Sequence, residues 1–160
     1  MALLIKNLLF TVIAPGTVAV YLPLWIARGR PRASGFGLEI ALLLLGLGAS
    51  IYSWCVWDFA VFGRGTPLPI DAPKRLVVRG LYRYTRNPMY VGVLTVILGW
   101  VAFFQLASLL LYVALIFTCF QLFIVLYEEP HLQREFGREY EDYRKGVGRW
   151  LPRPKLGRPA

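Results

Sequence analysis

Three long apolar stretches divide the chain, near residues 7–27, 38–62 and 88–127, and each is nearly free of charge. A helix needs about 20 apolar residues to cross the hydrocarbon core of a bilayer. The first two stretches are each one such helix long. The third is about twice that length, so the pattern predicts a helical hairpin that turns near "FFQLAS", Phe103 to Ser108. From Glu128 onward the chain becomes charged. Leu132, Phe136, Tyr140 and Tyr143 then recur at i, i+4, i+8 and i+11, the spacing of one helical face. The expected fold is an all-α integral membrane protein with about four transmembrane helices, the last two a hairpin. A C-terminal amphipathic helix should lie on the cytoplasmic side. The expected organisation is one domain over 1–160: two N-terminal spans in 1–62, a loop, hairpin and terminal helix in 63–152, and a basic tail in 153–160.

Composition supports the membrane reading. A hydrophobic content of 57% and a mean hydropathy of +0.53 exceed what a soluble domain needs to fill its core. The first stretch is too long for a signal-peptide core, carries Pro15 and Pro23, and lacks a small-residue cleavage site, so it reads as a retained span. The net charge of +9 does not point to nucleic acid, because the basic residues flank the spans. Of the 18 Lys and Arg, six fall between 64 and 86 and eight between 134 and 158. Four spans put both segments on one side, and cytoplasmic loops are the ones rich in Lys and Arg. Arg28, Arg30 and Arg32 would then face outward, with Lys6 inside. The site-bearing side is therefore expected to be the cytoplasmic face of an inner-membrane-type protein. Cys55 and Cys119 sit within apolar runs, where Cys acts as a small hydrophobe. No ligand cluster accompanies them, so neither a disulfide framework nor a metal site is expected.

The loops carry more specific chemistry. "RGRPRASGFG" is punctuated by Gly, Pro and Ser, and Glu39 stands where the dipole of the second span favours an acid. Gly46, Gly48, Ala49 and Ser50 let helices approach closely and read as packing residues. Asp58, between Trp57 and Phe59, has two readings. It is either a functional acid at membrane depth or an interfacial partner of Arg64 or Arg79. "GRGTPLPIDAPKRLVVRG" holds three prolines and three glycines and cannot be a regular helix. Something else must organise it, and a bound ligand would serve. It leads into "RGLYRYTRNPMYVGV", Arg79 to Val93, with three arginines, three tyrosines and an Asn-Pro pair against the start of an apolar run.

If the hairpin is antiparallel, Glu128 and Glu129 return to the neighbourhood of Asn87, Pro88 and Tyr90. Pro88 suits the first turn of a helix, and Asn87 suits its N-cap. The free N–H groups of that helix start can face a carboxylate or another oxygen-rich group. Tyr82, Tyr84 and Tyr90 offer ring faces to a cation. Glu128 and Glu129 offer acceptors to an ammonium or to ribose hydroxyls. S-adenosylmethionine carries all the matching groups. ATP or a lipid headgroup carries some of them.

"LVVRGLYRYTRNPMYVGV" together with "EEPHLQREFGREYEDY" resembles the membrane methyltransferases of the isoprenylcysteine carboxyl methyltransferase and phospholipid methyltransferase group. Leu76-Val77, Gly80-Leu81-Tyr82 and the run Arg86 to Gly92 meet the first family pattern. Glu128, Glu129, Leu132, Phe136, Gly137, Tyr140 and Tyr143 meet the second. The resemblance implies an S-adenosylmethionine site built from Lys74, Arg75, Leu76, Val77, Gly80, Tyr82, Asn87, Pro88, Met89, Tyr90 and Glu128. It also implies a lipophilic methyl acceptor reached from the bilayer. One position departs. The prenylcysteine enzymes carry a substrate-binding arginine one turn before the acidic pair, and this chain has Ile124 there. Arg86, with Arg79 and Arg83, is a candidate to replace it. An amine acceptor would need a base, for which Glu129 and His131 are candidates, whereas a carboxylate acceptor needs none. Tyr84 reads as an interfacial belt residue, and Tyr140 and Tyr143 as packing of the amphipathic helix. Arg149, Arg153, Lys155 and Arg158 are placed to attract anionic lipid. The competing readings are an NADPH-dependent membrane reductase of sterol-reductase type and a non-catalytic membrane protein with a vestigial pocket.

Overall fold

A computed structural model describes residues 2–63 and 76–153 of the chain. Helix α1, Ala2–Gly16, runs through a π-helical turn, Thr17–Tyr21, into α2, Leu22–Ile26. The second apolar stretch forms α3, Phe36–Asp58, and the third forms α4, Pro88–Phe104, and α5, Ala107–Phe123. A π-helical turn, Ile124–Glu128, joins α5 to α6, Glu129–Gly146. Among the described residues there is one isolated bridge, Thr85 with Gly148, and no named strand. The all-α membrane architecture is as the apolar pattern predicts. Among the described residues, three helical stretches are long and apolar enough to cross a bilayer, beginning at Leu9, Phe36 and Ala107. The fourth, α4, has 17 residues and so rises about 26 Å, slightly less than the hydrocarbon core.

The wide turn in the first span has a cause in the sequence. Pro23 has no N–H, so a carbonyl one turn earlier loses its helical partner. Inside a bilayer that carbonyl must find another donor. Trp100 Nε1 of α4 donates to the Ala19 carbonyl at 2.8 Å, and the Tyr112 hydroxyl of α5 donates to that of Val18 at 2.8 Å. Two polar tips from the hairpin therefore hold the first span against it. Ala19 is buried there beside Val93 and Ile97.

Helices α3 and α4 meet backbone to backbone. A Cβ on Gly48 would stand 2.7 Å from the Gly92 carbonyl oxygen and from the Val96 nitrogen. One on Gly92 would stand 3.0 Å from the Gly48 oxygen. Gly46 meets nothing within 4 Å, so the small-residue stretch has a single close point of contact at Gly48.

The hairpin turns where the sequence places it. Gln105 takes a left-handed conformation (φ 48°) and its N–H caps the Val101 carbonyl at 2.8 Å. The Ala33 N–H donates to the Phe103 carbonyl at 2.7 Å, which sets the first loop beside this turn. The opposite end of the bundle gathers the loop before α4, the end of α5 and the segment after α6. The basic stretches predicted to share a side do meet there, as far as they are described.

One element differs from expectation. The terminal amphipathic helix is not a single rod. Gly137 breaks it with φ 51° and ψ −120°, a conformation essentially restricted to glycine. The bend lets its distal limb, with Tyr140 and Tyr143, fold against the loop instead of continuing away from the membrane.

Candidate functional site

The loop before α4 is seated on the end of α3. Val77 and Tyr82 are buried with Cys55, and Met89 packs against them. Gly80 opens a 3₁₀ turn, Gly80–Arg83, with φ +54°. A Cβ there would collide with Asp58 Oδ2 and stand 3.0 Å from Trp54 Nε1, so glycine is required by both conformation and space. The Tyr82 ring stands edge-on to Phe59 at 5.6 Å, and its hydroxyl is hydrogen-bonded to Cys55. The Tyr143 hydroxyl donates to the Tyr82 carbonyl at 2.7 Å. Leu76 leads into this turn, half-buried. Lys74, Arg75 and Arg64 lie outside the described residues.

Asn87 occupies the N-cap position of α4 and Pro88 its first turn, as expected, but the Asn87 side chain makes no capping bond. The reason is a competing acceptor. Asn87 Nδ2 donates to the Arg149 carbonyl at 3.1 Å, and Thr85 Oγ1 donates to the same oxygen at 2.9 Å. The Arg86 N–H donates to the Gly148 carbonyl at 2.9 Å. Residues 147–150 thus form a strap across the Asn-Pro turn. Its far end is anchored on α5, where Trp150 Nε1 donates to Gln121 Oε1 at 2.8 Å and the Trp150 ring packs on Phe117 at 5.0 Å. This strap organises the described part of a loop that the sequence left to a ligand.

The twin glutamates meet the turn and divide its chemistry. Glu128 Oε2 accepts a hydrogen bond from the Tyr90 hydroxyl at 2.9 Å, and the Tyr90 ring packs on Phe120 at 4.6 Å. Glu129 is held by two cations. Arg86 Nη1 lies 2.9 Å from its Oε1, and Arg149 grips both oxygens through Nε and Nη2, each at 2.9 Å. That bidentate geometry is the strong form of an ion pair. Burial alone would push the Glu129 carboxyl up. The Arg149 hydrogen bonds and the charges of Arg86, Arg149 and Arg144 outweigh it and hold the group below its ordinary value. The same hydrogen bonds raise Arg149 above the usual guanidinium value. Arg149, expected at the lipid surface, is thus committed to Glu129.

Between these groups lies a small cleft, enclosing about 20 Å³, lined by Arg86, Asn87, Ile124, Glu128, Glu129, Leu132, Tyr140 and Tyr143. Arg86 is 7% exposed and its Nη1 also donates to the Tyr140 hydroxyl at 3.2 Å. Its Nε is buried without a hydrogen-bond partner. Ile124 is 1% exposed, so the position that departs from the prenylcysteine enzymes is a wall of this cleft.

Four of the residues singled out in the sequence line the cleft together: Arg86, Asn87, Glu128 and Glu129. Tyr90 reaches it through Glu128. Val77, Gly80, Tyr82 and Met89 form the neighbouring seat on α3. His131 stacks on Tyr127 at 5.9 Å and does not line the cleft, and Tyr84 is exposed. Tyr140, Tyr143 and Arg149 were assigned other work. The first two carried a signal in their spacing after Phe136-Gly137, while Arg149 carried none. Chemically, the cleft offers a buried guanidinium N–H, two carboxylates and phenol rings. Among the described residues no cluster of His, Cys, Asp and Glu could hold a metal ion.

Residues 36–139 match the family model for phospholipid methyltransferase. The matched stretch contains the Gly48–Gly92 contact, the Asn-Pro turn and both glutamates. No curated protein and no solved structure matched the chain.

Proposed function

The chain belongs to the phospholipid methyltransferase family, membrane methyltransferases that act on lipid, and on that premise we propose that its methyl donor is S-adenosylmethionine, bound at the cleft between the Asn-Pro turn and the twin glutamates. One observation carries the assignment of the site: Tyr90 meets Glu128, and Arg86 meets Glu129, each at 2.9 Å across the hairpin. The groups present fit the cofactor. The unpartnered Arg86 Nε is a donor for a carboxylate. Glu128 accepts from hydroxyl or ammonium groups. Tyr140 and Tyr143 present rings to a sulfonium. The cleft encloses only about 20 Å³, room for a water molecule, so a nucleoside needs far more space than these walls enclose.

When bound, the cofactor supplies an electrophilic methyl group. The protein's part is mainly positioning, which by itself accounts for a large share of the rate in a bimolecular transfer. Glu129, already satisfied by two guanidinium groups, fixes Arg86 and the strap. Glu128 is held by one neutral donor and is the carboxylate free to take a proton from an amine acceptor. Ile124 leaves no cation where the prenylcysteine enzymes place one, which favours an acceptor whose head is not a lone carboxylate. The acceptor's tail stays in the bilayer while its head reaches the end of the α4–α5 hairpin. The gathering of Lys and Arg at this end supports a cytoplasmic site.

The test is transfer of tritiated methyl from S-adenosylmethionine to lipid extracts by membranes carrying the wild type, Glu128→Ala or Asn87→Ala. Both variants should lose more than about tenfold in labelling, given the hydrogen bonds removed. Equal labelling by all three would sink the residue assignment. Saturable binding of NADPH, with none of S-adenosylmethionine, would replace the reading by a reductase.

A further inference from the structure

Asp58, at the end of α3, is 4% exposed, and its Oδ2 has no hydrogen-bond partner. Buried carboxylate oxygens are nearly always satisfied, so this one marks a place where a donor is missing. An acid near the end of an apolar span is costly to keep and needs a reason. The free oxygen packs against Gly80, where a Cβ would collide with it. Gly80 and Tyr82 belong to the same turn, and that turn connects Asp58 to the cleft. Cys55, one helical turn before Asp58, is hydrogen-bonded to the Tyr82 hydroxyl. The Tyr82 carbonyl accepts from Tyr143, which lines the cleft. Through Gly80 and Tyr82 the turn therefore links Asp58 to Tyr143 of the cleft.

We propose that Asp58 is a second anchoring point for the methyl donor, taking hydrogen bonds from the ribose hydroxyls of a nucleoside cofactor whose amino-acid end lies at Arg86 and Glu128. The assignment depends on the cofactor reading above and extends it. It accounts for two observations at once. A buried acceptor lacks a donor, and a cleft that encloses only about 20 Å³ is too small for the whole ligand. An extended molecule reaching past Tyr82 supplies the donor and needs the extra length.

The experiment is calorimetry of the full chain in detergent with S-adenosylhomocysteine, comparing wild type with the isosteric Asp58→Asn. The variant should bind about tenfold or more weakly, the effect of losing a charged acceptor. Titrations with adenosine and with methionine test which end is held: a loss confined to adenosine supports the ribose assignment, and a loss confined to methionine overturns it. Equal affinity of both proteins for S-adenosylhomocysteine overturns the assignment and leaves Asp58 as a structural acid. A second measurement needs no variant. Wild-type protein is treated with dicyclohexylcarbodiimide, and Asp58 labelling is mapped by mass spectrometry. Saturating S-adenosylhomocysteine should protect Asp58. Identical labelling with and without it, or none in either, overturns the proposal. Failure of wild type to bind S-adenosylhomocysteine at all would instead sink the cofactor reading itself.

Discussion

At Gly48 and Gly92, helices α3 and α4 touch backbone to backbone, with the Val96 and Ile51 side chains packed beside the contact. At the loop end of the same bundle, α4 and α5 are tied through Arg86 and Glu129, with Arg149 closing the knot from the strap. The first contact is dispersion between small groups in an apolar setting, where lipid chains compete almost as well. It tolerates any change that keeps the gap closed. The second is a set of nearly buried charges, each of which is tolerable only while its partners stay. The membrane half of this protein is therefore held by shape and the site half by identity.

Breaking the charged knot should have the largest effect. Glu129→Ala leaves Arg86 buried and uncompensated, a loss of about 3–5 kcal/mol. Thermal unfolding in detergent would read it as a large fall in Tm together with loss of methyl transfer. Arg149→Ala should cost less than Arg86→Ala, because Arg149 is 30% exposed and Arg86 only 7%. Equal losses for the two would mean that burial does not set the strength of this knot.

The shape-held contact should give a smaller, local effect. Gly48→Leu forces two backbones apart at a point with no room, costing about 1–3 kcal/mol. Gly46→Leu, facing open space two residues away, should stay within about 0.5 kcal/mol. Matching Tm losses for the pair would remove the contact from the account.

Tyr90→Phe is milder still. It deletes one hydrogen bond to Glu128, worth about 1 kcal/mol, and should weaken cofactor binding several-fold while leaving the fold in place.

Acid should act on the knot last of all. Glu129 has its carboxyl held below the ordinary value of 4.5. A depressed acid contributes stability that is present above the unfolded value and is lost as pH falls through the lower folded one. Unfolding midpoints should thus show no pH-dependent change from Glu129 between pH 6 and 8, where its contribution is fully present, and a decline below about pH 4.5 that Glu129→Gln abolishes. A decline near pH 6 that depends on Glu129 would contradict the direction of that shift.

Much of the site was legible because its two halves are short, dense motifs. "RNPMY" marks a helix start through Pro88, and "EEPHL" marks the point where an apolar helix becomes charged. A hairpin of known length brings such ends together by geometry alone. What escaped was whatever depended on the path after α6. Arg149 looked like a lipid-facing cation because nothing around it in sequence is acidic enough to claim it. Tyr140 and Tyr143 looked like packing because the Gly137 bend that turns them inward has no hydrophobic period. Asn87 was expected to cap its own helix, and a strap carbonyl from 62 residues away took its amide instead.

The sequence by itself determined the all-α membrane class and the order of the apolar helices, the place of the hairpin turn and the end of the bundle where charge collects. Those follow from hydropathy and from the fixed rise of a helix set against a bilayer of fixed thickness, both of which are local quantities. Only the tertiary structure decided which charges meet, which glycine is a contact, and that a free oxygen of Asp58 faces Gly80. Each of these is a pairing between distant segments, and its outcome turns on ångström-scale paths through a bend, a π-helical turn and a strap that no local pattern encodes.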